Sequence, residues 1–126
     1  MRGVDEEATL ADLRRRVAAF VAARDWEQFH TPKNLSVAVA IEAAELMEAF
    51  QWLSDEEAAA VTEEEETYAV VVDELADVLI YALSLANALG IDVSAAVAEK
   101  LKRNEHRFPV EDWRGRARPE DVEARP

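Results

Sequence analysis

From Glu64 to Leu89 the chain carries neither glycine nor proline, and its apolar residues fall nearly all round a helical projection. Val70, Val71, Val72, Leu75, Val78, Leu79, Ile80, Leu83, Leu85 and Leu89 leave no continuous polar face. Such a helix must be largely covered, because an apolar surface on every side has no favourable exposure to water. It nevertheless carries Glu74 and Asp77, one helical step apart, with Val70 and Val78 four residues either side of Glu74. Whatever the chain folds into must bury this helix and accommodate its carboxylates.

The rest of the chain reads as helical too. It has 3 glycines and 4 prolines, is rich in Ala, Leu and Glu, and shows no sustained alternation of strand type. Thr9 and Asp12 match a capping box before Leu10, Leu13, Val17, Phe20 and Val21, which predicts a first helix fading near Arg24. An aromatic-rich connector from Trp26 to His30 follows. Thr31 then reads as an N-cap and Pro32 as the first position of a second helix running to about Trp52. Ser54 to Glu66 is acidic and reads as a loop, or as a loop leading into the third helix. The run Glu63–Glu66 reads as a solvated face. Gly90 stops the third helix, and Asp92 caps a fourth that ends near Phe108, before Pro109. The 126 residues make one domain. Residues 1–109 form it, and 110–126 a charged, mobile or partner-docked tail with Trp113 as its large apolar anchor.

On the second helix Leu35, Ala38, Val39, Leu46 and Ala49 form an apolar stripe, and Glu42 falls inside it. Glu45 lies at i+3 on the same face. Two carboxylate pairs, Glu42/Glu45 and Glu74/Asp77, thus sit where apolar residues belong. Burying one unpaired carboxylate is costly and clustering several is worse. Either some of them are neutral through raised pKa values, or a cation holds them ionised. All-oxygen ligation suits Mg²⁺, with Mn²⁺ as a substitute. A di-iron site of the Glu-x-x-His type does not fit, since neither His30 nor His106 completes such a pair.

The net charge of −13 and pI near 4.5 disfavour nucleic acid and anionic membrane as partners. They leave room for an anionic small molecule that arrives with a metal ion. The absence of cysteine excludes disulfides, thiolate zinc and iron–sulfur ligation. Residues 1–10 carry no signal-peptide pattern, and the uncharged stretch Val78–Ile91, interrupted by Ser84 and Asn87, is too short to span a bilayer. The expectation is a soluble, cytoplasmic protein.

Four ordered blocks carry a resemblance: Arg24–Leu35 (RDWEQFHTPKNL), Glu45–Trp52 (ELMEAFQW), Asp73–Tyr81 (DELADVLIY), and Lys100…Asn104…Arg107-Phe-Pro109. Together with Glu42-Ala-Ala-Glu45 they resemble the MazG-like all-α nucleoside triphosphate pyrophosphatases and, within them, the deoxycytidine triphosphate pyrophosphatase branch. The resemblance implies a four-helix bundle assembled as a homotetramer (a dimer of dimers) or a homodimer, with pockets completed across subunits. It implies cleavage between the α and β phosphates of a dCTP-like nucleotide, giving the monophosphate and pyrophosphate in nucleotide-pool sanitation. Mg²⁺ would be held by Glu42, Glu45, Glu74 and Asp77. Trp26, His30, Trp52 and Tyr81 would line the base and sugar pocket, and Lys100 and Asn104 would contact the phosphate end or the base.

Helical spacing independently puts Tyr81 on the face of Glu74 and Asp77, and Trp52 on that of Glu45. Each also has a plainer reading: Trp52 and Tyr81 as core aromatics, Trp26 and Phe29 as staples between helices, His30 as a turn cap, Lys100 and Arg107 as partners of a helix C-terminus. Many relatives carry a further glutamate just before the first motif glutamate, where this chain has Ile41. Water activation then falls to a metal-bound hydroxide, to Glu45, or to a nearby acid such as Glu48. The rival readings are a dUTP or broad NTP specificity on the same fold, and a non-enzymatic acidic helical interaction protein.

Overall fold

The computed structural model describes residues 4–120. Among them there is no strand, and the chain forms two compact units that meet in sequence at Gly90 and Ile91. The first unit contains α1 (Leu10–Ala23), α2 (Pro32–Glu48), α3 (Asp55–Ala59) and α4 (Glu65–Leu89). The second contains α5 (Val93–Arg107) and the single turn α6 (Val110–Trp113). The four helices expected from the sequence are α1, α2, α4 and α5, and the fold is all-α.

The helix ends follow local chemistry. Thr9 accepts from the Asp12 amide while the Asp12 side chain accepts from the Thr9 amide, so the capping box is complete. Thr31 accepts from the Asn34 amide ahead of Pro32, and Asp92 from the Ala95 amide at 2.9 Å. Gly90 closes α4 in the left-handed conformation, φ 65°, and its amide donates back to the Ala86 carbonyl.

Three boundaries differ from the sequence expectation. α2 ends at Glu48, four residues short of Trp52. From Ala49 on, amides donate to carbonyls three residues back (Ala49 to Leu46, Phe50 to Met47, Leu53 to Phe50), so the chain tightens into turns. The acidic stretch after it is no open loop. Ser54 and Glu57 form a second capping box that starts α3, and a 3₁₀ turn at Val61–Glu63 leads into α4. After Pro109 the tail forms α6, whose Trp113 packs edge-on against Phe108 with ring centres 4.9 Å apart. The reading of a mobile tail also covers residues 121–126, which lie outside the described residues.

Within the first unit α2 packs along α4, and α1 packs on α4 as well. Leu35, Val21, Val61, Leu83 and Ala86 form the buried core, with Leu35 only 1% exposed. The expectation of a largely buried third helix is corrected here. Val70, Val72, Leu75, Leu79 and Ile80 of α4 are all more than 40% exposed. Within this unit α4 is packed by α2, by α1 and by the short Val61–Glu63 turn, which together do not cover a helix that is apolar all round.

Candidate functional site

The face of α4 that does meet its neighbours carries Val71, Glu74, Asp77, Val78 and Tyr81, all half-buried. The stripe of α2 carries Glu42, half-buried between Ala38 and Leu46. Packing α2 along α4 therefore brings acid to acid. Glu42, Glu45 and Glu74 each place a carboxylate oxygen within 4.8 Å of the others. Asp77 stands outside that trio, but its charge acts on both Glu42 and Glu74. Glu42 Oε2 and Glu74 Oε2 are buried without a hydrogen-bond partner.

Burial pushes the Glu42 carboxyl up to about 7, helped by a proton shared with Glu45 and by the charges of Glu45, Asp77 and Glu74. Glu74 is raised by the same causes, burial first and then Glu45 and Asp77. Proton sharing lets the bare cluster exist, and a cation would replace those protons. Orphaned carboxylate oxygens from two helices, with no nitrogen or sulfur donor among them, fit a hard divalent ion.

Aromatic rings continue from this cluster along α4. Tyr81, one turn beyond Asp77, lies 6.3 Å from the His30 ring; His30 lies 6.3 Å from Trp26, and Trp26 meets Phe20 edge-on at 5.7 Å. The connector that carries Trp26 and His30 is set by Asp25, which takes a left-handed φ of 52°, with its carbonyl and carboxylate both accepting from the Gln28 amide nitrogen. His30 also lines a cavity of about 360 Å³, together with Val17, Ala18 and Val21 of α1, Glu27 of the connector, and Ser84, Asn87 and Ala88 of α4. Ser84 is 6% exposed, and neither its Oγ nor His30 Nδ1 has a hydrogen-bond partner. Asn87 is satisfied: its Oδ1 accepts from Arg14 Nε at 3.0 Å and its Nδ2 donates to the Arg14 carbonyl at 3.2 Å, clamping α1 to α4.

The structure thus brings together Glu42, Glu45 and Glu74 in one group, with Asp77 near it, and Trp26, His30 and Tyr81 in another. Glu48 is exposed, one turn past Glu45 at the end of α2. Trp52 lies beyond α2 and is 87% exposed, so helical spacing from Glu45 does not carry it to the acids. Lys100 (exposed) and Asn104 (half-buried) both lie on α5 of the second unit, one turn apart. Sequence reasoning did not single out Ser84 and Asn87, which line the cavity. Their signal was present: they are the polar interruptions of the Val78–Ile91 stretch, and Ser84 repeats the face of Asp77 and Tyr81.

A model of the MazG-like family matches residues 37–118, a span that includes all four acids. The chain belongs to the MazG-like family. It is 46% identical over 111 residues to dCTP pyrophosphatase 1 of Rattus norvegicus, an overlap of 88% of this chain and 65% of the rat protein. To dCTP pyrophosphatase 1 of Homo sapiens it is 44% identical over 104 residues, 82% of this chain and 61% of the human one. The chain thus spans less than two thirds of the length of these curated relatives. Among solved structures, a pyrophosphatase from Archaeoglobus fulgidus superposes with a TM-score of 0.69 at 41% identity, covering 86% of this chain and 95% of that one. Within this MazG-like chain no helix among the described residues is long and apolar enough to cross a membrane.

Proposed function

We propose that this MazG-like protein is a Mg²⁺-dependent nucleoside triphosphate pyrophosphohydrolase of the cytoplasm. It cleaves dCTP-like nucleotides between the α and β phosphates, releasing the monophosphate and pyrophosphate and so clearing the nucleotide pool. The observation that carries the reading is the pair of orphaned carboxylate oxygens, on Glu42 and Glu74, within one α2–α4 cluster. The named activities of the rat, human and archaeal relatives support the same chemistry.

Glu42, Glu45, Glu74 and Asp77 would hold Mg²⁺, with Mn²⁺ able to substitute. When bound, the ion neutralises triphosphate charge that this acidic chain would otherwise repel. Glu45, or Glu48 one turn further along α2, accepts the proton of the attacking water, since both are exposed. Tyr81, His30 and Trp26 line the base and sugar region, where stacking on an aromatic contributes about 1–3 kcal/mol per base. Lys100 and Asn104 serve the phosphate end or the base.

The uncovered apolar face of α4 and the 87% exposed Trp52 support assembly as a homotetramer, with a homodimer as the smaller alternative. In that arrangement Trp52 completes the pocket of a neighbouring copy. Residues 1–109 then form the catalytic domain, with 110–126 as its tail.

Pyrophosphate release from a panel of dNTPs with Mg²⁺ tests the proposal. The expected result is preferential turnover of dCTP, abolished by Glu45→Ala. A strong preference for dUTP, or turnover of all NTPs alike, would overturn the substrate reading. No turnover of any nucleotide would overturn the enzymatic one.

A further inference from the structure

Four buried polar side-chain atoms lack a partner among the described residues: two belong to the carboxylate cluster, and the others are Ser84 Oγ and His30 Nδ1. Both of the latter residues line the cavity between α1, the connector and α4. A buried hydroxyl normally finds a partner, and inside a helix it can bond a backbone carbonyl of the preceding turn. Ser84 does neither. The rest of the lining is mostly apolar: Val17, Ala18, Val21 and Ala88 offer no polar side-chain atom, Asn87 is engaged with Arg14, and the remaining polar group is the exposed carboxylate of Glu27. A ligand with a hydrogen-bonding edge would satisfy the hydroxyl, and at about 360 Å³ the cavity lies at the small end of ligand pockets, which range over about 300–1,000 Å³.

We propose that Ser84 is a specificity-determining residue that reads the substituent on C4 of a pyrimidine base, accepting a hydrogen bond from the 4-amino group of cytosine, with His30 Nδ1 as the second polar contact. The inference rests on the pyrophosphohydrolase reading for the placement of the triphosphate at the carboxylates. Ser84 follows Asp77 by seven residues on the same face of α4, roughly 10 Å along the axis at about 1.5 Å per residue. A nucleotide with its phosphates at the acids points its base away from them, past Tyr81. In a pyrimidine the atom farthest across the ring from the sugar-bearing N1 is C4. Ser84, which lines the cavity about two turns of α4 beyond Asp77, therefore meets the 4-amino group of cytosine. A polar group buried for a ligand's sake discriminates strongly against a ligand that cannot pair with it.

The test compares dCTP with the triphosphate of 2-pyrimidinone deoxyriboside, which lacks only the 4-amino group, on the native protein and on Ser84→Ala. The native protein should prefer dCTP by about tenfold or more in kcat/KM, one hydrogen bond's worth of discrimination. In Ser84→Ala the preference should fall to about twofold, through a higher KM for dCTP with kcat nearly unchanged. The variant should also fold with an undiminished Tm, because it removes an unpartnered buried hydroxyl. A preference unchanged by Ser84→Ala overturns the proposal.

Calorimetric binding of dCMP and the matching 2-pyrimidinone monophosphate reads the same ratio without turnover. If no nucleotide is hydrolysed but the binding ratio collapses in Ser84→Ala, the hydrolase reading falls and Ser84 stands. If dCTP is hydrolysed but neither ratio moves, Ser84 falls and the hydrolase stands. If neither monophosphate binds and no triphosphate is hydrolysed, both fall.

Discussion

Divalent metal binding should be linked to protons, because the ligands must shed them. Glu42 titrates at about 7 in the metal-free cluster, so it is about 3% ionised at pH 5.5 and about 90% ionised at pH 8. Binding at the lower pH must displace that proton, and the apparent Kd for Mg²⁺ or Mn²⁺ should fall about thirtyfold across the interval, nearly all of it below pH 7.5. Glu74 is raised by the same neighbours and steepens the dependence. Titration calorimetry at several pH values, in buffers of different ionisation heat, measures both Kd and the protons released. Glu42→Gln should weaken binding and release about one proton fewer per ion at pH 5.5.

The same group acts on stability with a definite sign. The folded, metal-free protein holds the Glu42 proton over a range where the unfolded chain, with an ordinary value of 4.5, has lost it. The associated stability is fully present below 4.5 and is lost as pH rises through about 7. The Tm of the metal-free protein should therefore drop between pH 5 and 8, and saturating Mg²⁺ should offset the drop. A Kd that is flat from pH 5.5 to 8, with no proton released, would refute the reasoning that these acids share protons until a cation replaces them.

Three further outcomes follow from single residues. Gly90→Ala meets no atom within 4 Å but must adopt φ 65°, so it should cost about 1 kcal/mol by chemical denaturation; a neutral result would mean the turn relaxes. Asn87→Ala removes both hydrogen bonds to Arg14 and should destabilise by about 1–3 kcal/mol; an unchanged denaturation midpoint would show that the clamp contributes nothing. Trp52→Ala, at 87% exposure, should leave chain stability within about 0.5 kcal/mol while raising KM for dCTP, and an unaltered KM would remove Trp52 from the pocket.

The clustering of three of the four candidate acids was legible in residue spacing. Glu42, Glu45, Glu74 and Asp77 stand out because acids in apolar stripes violate the ordinary segregation of charge from core. That violation is visible without coordinates, as are the caps at Thr9, Thr31, Asp92 and Gly90, whose chemistry involves residues only a few positions apart. Trp52 was misplaced for a related reason. Its periodicity from Glu45 presumes a helix that continues, whereas the backbone tightens after Glu48 and the pattern no longer maps to a face. Ser84 and Asn87 read as mere interruptions, because a serine in an apolar helix looks the same whether it is solvated, bonded to its own backbone or held without a partner.

Local sequence alone determined the all-α fold, the helix caps at Thr9, Thr31, Asp92 and Gly90 and the all-carboxylate chemistry of the candidate site, since these depend on side chains within one or two turns of each other. Tertiary structure decided which of those elements meet. It set three carboxylates within 4.8 Å of one another across α2 and α4 and built a cavity from α1, the connector and α4. It also left much of the apolar surface of α4 exposed. Proton sharing, orphaned hydroxyls and uncovered faces are properties of what packs against what, and helical periodicity contains no information about that.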